Sequence, residues 1–459
     1  MSSMPAVPAQ HVHPEVRLSL IDRLARAGLV ASLKCIGSDR LTLRDGNEAI
    51  GFGESSEEAS HAGLSAEVTV EDPQFFRHVA FGGSLAAAES FLDGHWSCDD
   101  LTALFRIVIR NPAAFSGMDR GIVARLLSVV AGMEHRLRRN SRRGSRKNIE
   151  AHYDLGNDFF RLFLDETMMY SSGIFPTADS TLHDASLEKL DRICRRLALG
   201  PGDHVLEIGT GWGGFALHAA RNFGCRITTT TISRAQFEFA RERVRNAGLE
   251  DRVTVLCEDY RDLSGRYDKL VSIEMIEAVG HQFFDQFFHR CGELLEPSGL
   301  MLLQGIVMNE QAYPRYVKSV DFIQKYVFPG GCLPSVLALG ASAARSSALR
   351  LLHVEDFAWH YAQTLRCWRD RLHAALDQVR ALGYSERFIR LWNYYFSYCE
   401  AAFEERATGV VQMLWAGPQS RLDLILTASV VTDRTLNTPA SPGTGSIHQP
   451  PCLSVRGGP

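Results

Sequence analysis

The sequence predicts an α/β protein: a doubly wound, mostly parallel sheet with a smaller α+β domain before it. Three observations carry that expectation. Between residues 205 and 307, short apolar or β-branched runs alternate with amphipathic helical patterns, the order that builds parallel sheets. The first of those runs ends in a glycine-rich turn that opens a helix. Before about residue 109 strand and helix patterns are instead mixed.

In chain order, Arg40–Asp45 and residues 64–71 show the alternation or β-branching of strands. Residues 84–92 and 99–109 read as helices, the second opening on the Asp99/Asp100 capping signal. Phe81-Gly82-Gly83-Ser84-Leu85 supplies a turn before the first of them. Strands are then expected at 205–208, 226–231, 253–256, 269–273 and 300–307, and helices at 215–222, 235–246 and 283–295. A chain of 459 residues is more than one core usually serves. The expected division is a flexible N-terminus (1–14), an N-terminal domain (15–132), a basic linker (133–148), a larger α/β domain (149–430) and a tail (431–459). The tail is rich in Pro, Gly, Ser and Thr, a composition that predicts disorder.

Bulk composition narrows the function classes. Hydrophobic residues make up 45% and charged residues 22%, ordinary values for a globular protein. A net charge of -4 excludes nucleic-acid binding by overall charge. No apolar run reaches the roughly 18–20 residues of a spanning helix. Residues 1–13 lack the apolar segment of a signal peptide. The ten cysteines are scattered without CxxC pairs, which predicts reduced thiols, no metal site and a cytoplasmic setting. One local run is strongly basic: Arg136, Arg138, Arg139, Arg142, Arg143, Arg146 and Lys147. It reads either as a solvated linker or as a patch for anionic lipid headgroups. Nucleic acid ranks below both, because no stacking-aromatic module accompanies the charge.

The segment Val205-Leu206-Glu207-Ile208-Gly209-Thr210-Gly211-Trp212-Gly213-Gly214 is a strand, a glycine turn and a helix start. Gly209, Gly211 and Gly214 satisfy GxGxxG, but a dinucleotide site also wants an acid about 20 residues on, at the end of the second strand. That strand ends in four threonines, 228–231. The acids lie instead at Glu207 and at Glu258-Asp259 after the third strand. This is the pattern of class I methyltransferases; the alternative is a tight turn that holds no ligand.

With the flanking motifs added, the chain resembles the cyclopropane-fatty-acid synthase family, mycolic acid methyltransferases included. The residues that carry the resemblance begin with 151–160 (AHYDLGNDFF) and Met169-Tyr170-Ser171-Ser172. They continue through 205–214, 231–236, Asp259-Tyr260-Arg261-Asp262, 274–280 and 326–336 (YVFPGGCLPSV). The likeness spans about residues 149–415, and residues 81–85 and 91–96 look like the extra N-terminal domain of the longer bacterial synthases.

The resemblance implies S-adenosylmethionine as cofactor. Tyr170 and Ser171 would cover its methionine end, and Glu207, Gly209, Gly211 and Gly213 would line its cleft. Thr231, Ser233 and Gln236 would take the ribose side, Cys257 and Glu258 the adenine side. Phe322, Tyr326 and Phe328 fit an acyl-chain tunnel or ordinary core. Methyl transfer to a cis alkene leaves a carbocation, so the site must exclude water and can use aromatic faces to stabilise charge. Loss of a proton from the new methyl closes a cyclopropane; loss from a neighbouring carbon gives a methylene or methyl-branched chain. In cyclopropane-forming members the resemblance implies a bound bicarbonate as base. The matching positions here are Glu277, Tyr361 and the backbone of Ile306, with Ser172 and Gln304 where those members have Cys and His. Both substitutes still offer hydrogen bonds, but Gln cannot carry positive charge. Cys399 matches a cysteine near the family's active site, although no step needs a thiol nucleophile.

The expected partner is an unsaturated phospholipid acyl chain at an anionic membrane surface, met by a peripheral protein on its cytoplasmic face. The N-terminal domain is expected to engage lipid or to dimerise. The rivals are an acyl-chain methyltransferase with a methylene or methyl-branched product, a small-molecule methyltransferase, and a catalytically silent lipid- or cofactor-binding protein.

Overall fold

Along the central strands, neighbouring residues face opposite sides of one sheet, and both sides are covered. The computed structural model describes residues 19–53, 63–115 and 156–421. The basic run at 136–147, the first five residues of the 151–160 motif and the expected disordered tail lie outside them.

The larger sheet contains β5 (His204–Ile208), β6 (Arg226–Thr230), β7 (Val253–Leu256), β8 (Tyr267–Ile273), β9 (Leu295–Met308), β10 (Arg350–Asp356) and β11 (Thr408–Ala416). Their order is β10-β11-β9-β8-β5-β6-β7. The strands from β7 across to β9 are parallel, and β11 runs antiparallel to β9 and β10. Val205, Val271 and Leu302 pack under helices Leu182–Arg196 and Gly214–Phe223. Their neighbours Leu206, Leu270 and Leu303 pack under helices Phe284–Leu294 and Val336–Ser346. A strand buried on both faces has no polar side to show, which is why these strands read as continuous apolar runs. The chain enters at β5, winds out to β7 and returns to β8. The order therefore reverses between β5 and β8, and ligands of such sheets sit beyond the strand ends at that point.

The smaller sheet, ordered β2-β1-β3-β4, is formed by β1 (Arg40–Asp45), β2 (Glu48–Phe52), β3 (Ser65–Val70) and β4 (Trp96–Cys98). Helix Gln74–Leu92 extends further toward the N-terminus than expected, and the anticipated turn survives inside it as Gly83, at φ 70°. Asp100 caps helix Leu101–Arg110 by accepting from the Ala103 N–H. Among the described residues, no helix is long and apolar enough to cross a membrane.

One hydrophobic cluster joins this N-terminal region to helices Ala358–Ala374 and Glu386–Glu404. Phe91 and Phe105 pack on Tyr394 with ring centroids 5.5 and 4.8 Å apart. At the same junction the buried Glu400 accepts from Arg366 at 2.9 Å, Arg369 at 2.5 Å and the Thr102 hydroxyl at 3.2 Å. Burial raises the Glu400 carboxyl, and the two guanidiniums oppose that. Removing one partner of a buried ion pair leaves uncompensated charge, so Arg369→Met should cost about 3 kcal/mol. Thr102→Ala should cost about 1 kcal/mol. Denaturant midpoints check both, and a smaller loss for Arg369→Met than for Thr102→Ala would show that Arg366 alone compensates Glu400.

Candidate active site

The turn after β5 lies at the switch point. Gly209, Gly211 and Gly213 take φ of 106°, 51° and 84°, a left-handed region that side chains other than glycine rarely occupy. A Cβ on Gly211 would meet nothing in the protein, so that side of the turn is open to a ligand. Beneath it Glu207 is buried, and its Oε2 has no hydrogen-bond partner among the described residues. Burial lifts its carboxyl to about 8, against the Thr229 hydroxyl and the charge of Lys189. An orphaned acceptor beside an open glycine turn fits a ligand that brings its own donor.

At the end of β6, the Thr231 hydroxyl donates to Gln236 Oε1 at 2.8 Å and accepts from the Ser233 N–H at 3.1 Å. Ser233 in turn caps helix Arg234–Asn246. Cys257 is half-buried and Glu258 exposed just past β7, where the Glu258 carbonyl accepts from Thr230. The residues expected on the ribose and adenine sides thus stand at the ends of neighbouring strands. Tyr170 donates its hydroxyl to Tyr395 at 3.1 Å and packs against Phe160 and Trp368. Ser171 accepts from Lys189 Nζ at 2.6 Å.

A second cluster occupies the ends of β8 and β9, and it differs from the expected anion site. Its centre is Glu274. One carboxylate oxygen accepts from the Ser172 N–H at 2.9 Å and from Gln304 Nε2 at 2.9 Å. The other accepts from the Tyr361 hydroxyl at 2.7 Å. Three of the groups expected to hold bicarbonate therefore hold a carboxylate of the chain itself. The Ser172 hydroxyl turns away to the Gly173 carbonyl, so the backbone of Ser172 makes the contact. The Ile306 N–H donates to Glu277 Oε1 at 2.5 Å, and Glu277 Oε2 is buried without a partner among the described residues. The expected five-membered cradle is thus divided between two carboxyls: Glu274 takes three donors and Glu277 takes one. Bicarbonate does not fit this arrangement, because its donors are already engaged.

The orientation of Gln304 is fixed from behind. Gln412 Nε2 donates to Gln304 Oε1 at 3.0 Å, and Arg196 donates to Gln412 Oε1 at 2.8 Å. Since Arg196 can only donate, the amides must point their NH2 groups toward Glu274. Lys189 is fully buried nearby, its ammonium brought down to about 8 by burial against the pull of Glu274, Asp165 and Glu207.

Aromatic rings close the other side. Phe328 lies 6.3 Å from Tyr170 and 6.1 Å from Tyr395 between ring centroids, and Phe322 lies 4.5 Å from Tyr394. Tyr326 donates to Glu89 of helix Gln74–Leu92 at 2.6 Å, so this segment, a π-helical turn over Ile323–Val327, is tied to the N-terminal region. Burial pushes the Cys399 thiol far up, which leaves it a poor nucleophile.

Comparison with known proteins places this geometry. The family model for mycolic acid cyclopropane synthetase matches residues 140–413. The chain belongs to that family. A tuberculostearic acid methyltransferase of Mycobacterium tuberculosis is 37% identical over 347 residues, covering 73% of this chain and 79% of the relative. The cyclopropane-fatty-acyl-phospholipid synthase of Escherichia coli K12 is 36% identical, covering 79% of this chain and 92% of the relative. The solved structure of mycolic acid cyclopropane synthase CmaA1 complexed with SAH and CTAB is 31% identical with a TM-score of 0.55, covering 59% of this chain and 98% of that one. The family and the class I methyltransferase fold expected from sequence are therefore both confirmed.

Two members of the site carried no sequence assignment. Glu274 follows the fully buried end of β8, and Lys189 stands on the buried face of an amphipathic helix between Ala185 and Ile193. A charge at an apolar position was the available signal in both cases.

The Glu277 carboxyl is lifted from 4.5 to about 8 by burial and by the neighbouring Glu274. Between those values the folded enzyme keeps a proton that the unfolded chain has lost, so stability falls as pH rises from 4.5 through about 8. Glu277→Gln has no such proton to lose. Relative to the parent, its melting temperature should therefore rise between about pH 5 and about pH 9. A constant difference in thermal melts across that range would show that Glu277 ionises normally.

Proposed function

We propose that this S-adenosylmethionine-dependent methyltransferase adds a one-carbon unit to the cis double bond of an unsaturated phospholipid acyl chain and closes a cyclopropane. The observation that carries the reading is the open glycine turn of β5 standing beside a buried, fully hydrogen-bonded carboxylate and a wall of aromatic rings. Bound S-adenosylmethionine supplies an electrophilic methyl on a sulfonium that leaves as a neutral thioether. The residues do the rest. Glu207 and the turn bind and orient, while Tyr170, Trp368 and Phe328 exclude water and face positive charge with their π-systems. A carboxylate then takes the proton whose bonding pair closes the ring.

A second reading, a methylene or methyl-branched product, is favoured by the position of Glu274. A base fixed to the backbone does not sit where a mobile anion would, and the base's place decides which C–H bond breaks. A barrier difference of about 1.4 kcal/mol changes the product ratio about tenfold. The basic run at 136–147 supports substrate capture at an anionic membrane surface by a peripheral protein.

With a methyl-deuterated cofactor, ring closure should give cyclopropane esters that have lost one deuterium. Ring-free esters that keep every deuterium would transfer the assignment to the branched-chain reading. Gly211→Val should weaken S-adenosylmethionine binding at least about tenfold, ~1.4 kcal/mol, in calorimetry, and its left-handed backbone should also lower the melting temperature. Unchanged affinity would remove the cofactor cleft from the β5 turn.

A further inference from the structure

We propose that Lys189 is a positioning residue for the cofactor: acting through Ser171, it presents a hydrogen-bond donor backed by positive charge to the carboxylate of the methionine end, and so leaves Glu207 for the ammonium. The inference rests on S-adenosylmethionine as cofactor and not on the phospholipid reading.

Four observations support it. First, Lys189 is fully buried on helix Leu182–Arg196, and its Nζ donates to Ser171 Oγ at 2.6 Å. Among the described residues this is the one hydrogen bond of a group with three donors. Second, the contact occupies a lone pair of the Ser171 hydroxyl and turns its hydrogen away from Nζ. That hydrogen meets no acceptor among the described residues, although Ser171 is itself buried. Third, the place of Ser171 is fixed on both sides: Tyr170 donates to Tyr395 at 3.1 Å, and the Ser172 N–H donates to Glu274 at 2.9 Å. Fourth, Glu207 has the complementary need, a buried oxygen without a donor among the described residues, and it lies near enough to Lys189 for each to influence the other's ionisation. An unused donor and an unused acceptor in one neighbourhood match the two ends of an amino-acid zwitterion.

The carboxylates that face Lys189 are Glu274 after β8, Asp165 before Tyr170 and Glu207 on β5. They hold the ammonium charged against burial, which brings it down only to about 8. A counter-ion alone would donate to these acids. Among the described residues Lys189 donates to none of them and reaches Ser171 instead. A charged donor on its oxygen polarises the serine and makes the outward O–H the stronger donor.

The test is calorimetric and uses the full chain without lipid. The ligands are S-adenosylmethionine and its decarboxylated analogue, which keeps the ammonium and the sulfonium but lacks the carboxylate. The parent should prefer the cofactor at least about tenfold, the scale of one hydrogen bond to a charged group. Lys189→Met and Ser171→Ala should each remove most of that preference by weakening the cofactor, with affinity for the analogue kept within about twofold. The double variant should lose no more than the larger single loss, because both residues act along one path. Lys189→Gln, which keeps a donor and loses the charge, should fall between the parent and Lys189→Met, and it carries the comparison if the methionine variant does not fold. Equal weakening of both ligands in the Lys189 variants would overturn the proposal and leave Lys189 a structural counter-ion. A preference that survives in Ser171→Ala, or a parent without one, would overturn it as well. Failure to modify phospholipid leaves these outcomes unchanged, so the two readings fail separately.

Discussion

The candidate active site is organised around a buried carboxylate held just past the end of a central strand. Glu274 sits where burial alone would neutralise it. Three donors and one nearby cation oppose that, and each comes from a different part of the chain. Ser172 belongs to the segment before the first helix of the α/β unit, Gln304 to β9, Tyr361 to helix Ala358–Ala374 and Lys189 to helix Leu182–Arg196. A buried polar cluster of this kind is favourable only when every member is satisfied. Correct register of β8, β9 and β11 is therefore a condition for the charge as much as for the sheet. Pairing of Gln304 with Gln412 across β9 and β11 shows the link directly, because a slip of one strand by one residue would turn its amide to the other face and part the two.

The same economy of position explains the aromatic wall. Trp368 and Tyr395 are core residues by burial, and the half-buried Tyr170 packs on the first and donates to the second. Packing asks for large rings here, and the two tyrosine hydroxyls are paired with each other. The hydrogen bond from Tyr326 to Glu89 ties the aromatic segment to the N-terminal region.

Much of this was legible in the sequence. Strands β5, β8 and β9 announce themselves by mainly apolar runs under two covered faces, β6 and β7 by β-branched residues, and the glycine turn because glycine best tolerates its dihedrals. The residues that the resemblance assigns to the ribose and adenine sides stand at neighbouring strand ends. Helix Gln74–Leu92 was half legible: Gly83 does interrupt it, but packing keeps both halves in line. What sequence could not show was which acid the donors would choose. Glu274 and Glu277 lie three residues apart, and matching motif to motif selects the second. Only the left-handed backbone at Glu274 swings its side chain into the cradle, and a dihedral angle of that kind leaves no trace in residue pattern when the residue is not glycine.

That angle has a consequence for descent. Glutamate and glycine codons differ by one base, and the backbone at this position suits glycine better than the residue it carries. A single base change would relieve the backbone, yet it would strand the Ser172 N–H, the Gln304 amide and the Tyr361 hydroxyl beside the buried Lys189, so the strained angle persists because the polar network it completes outweighs it.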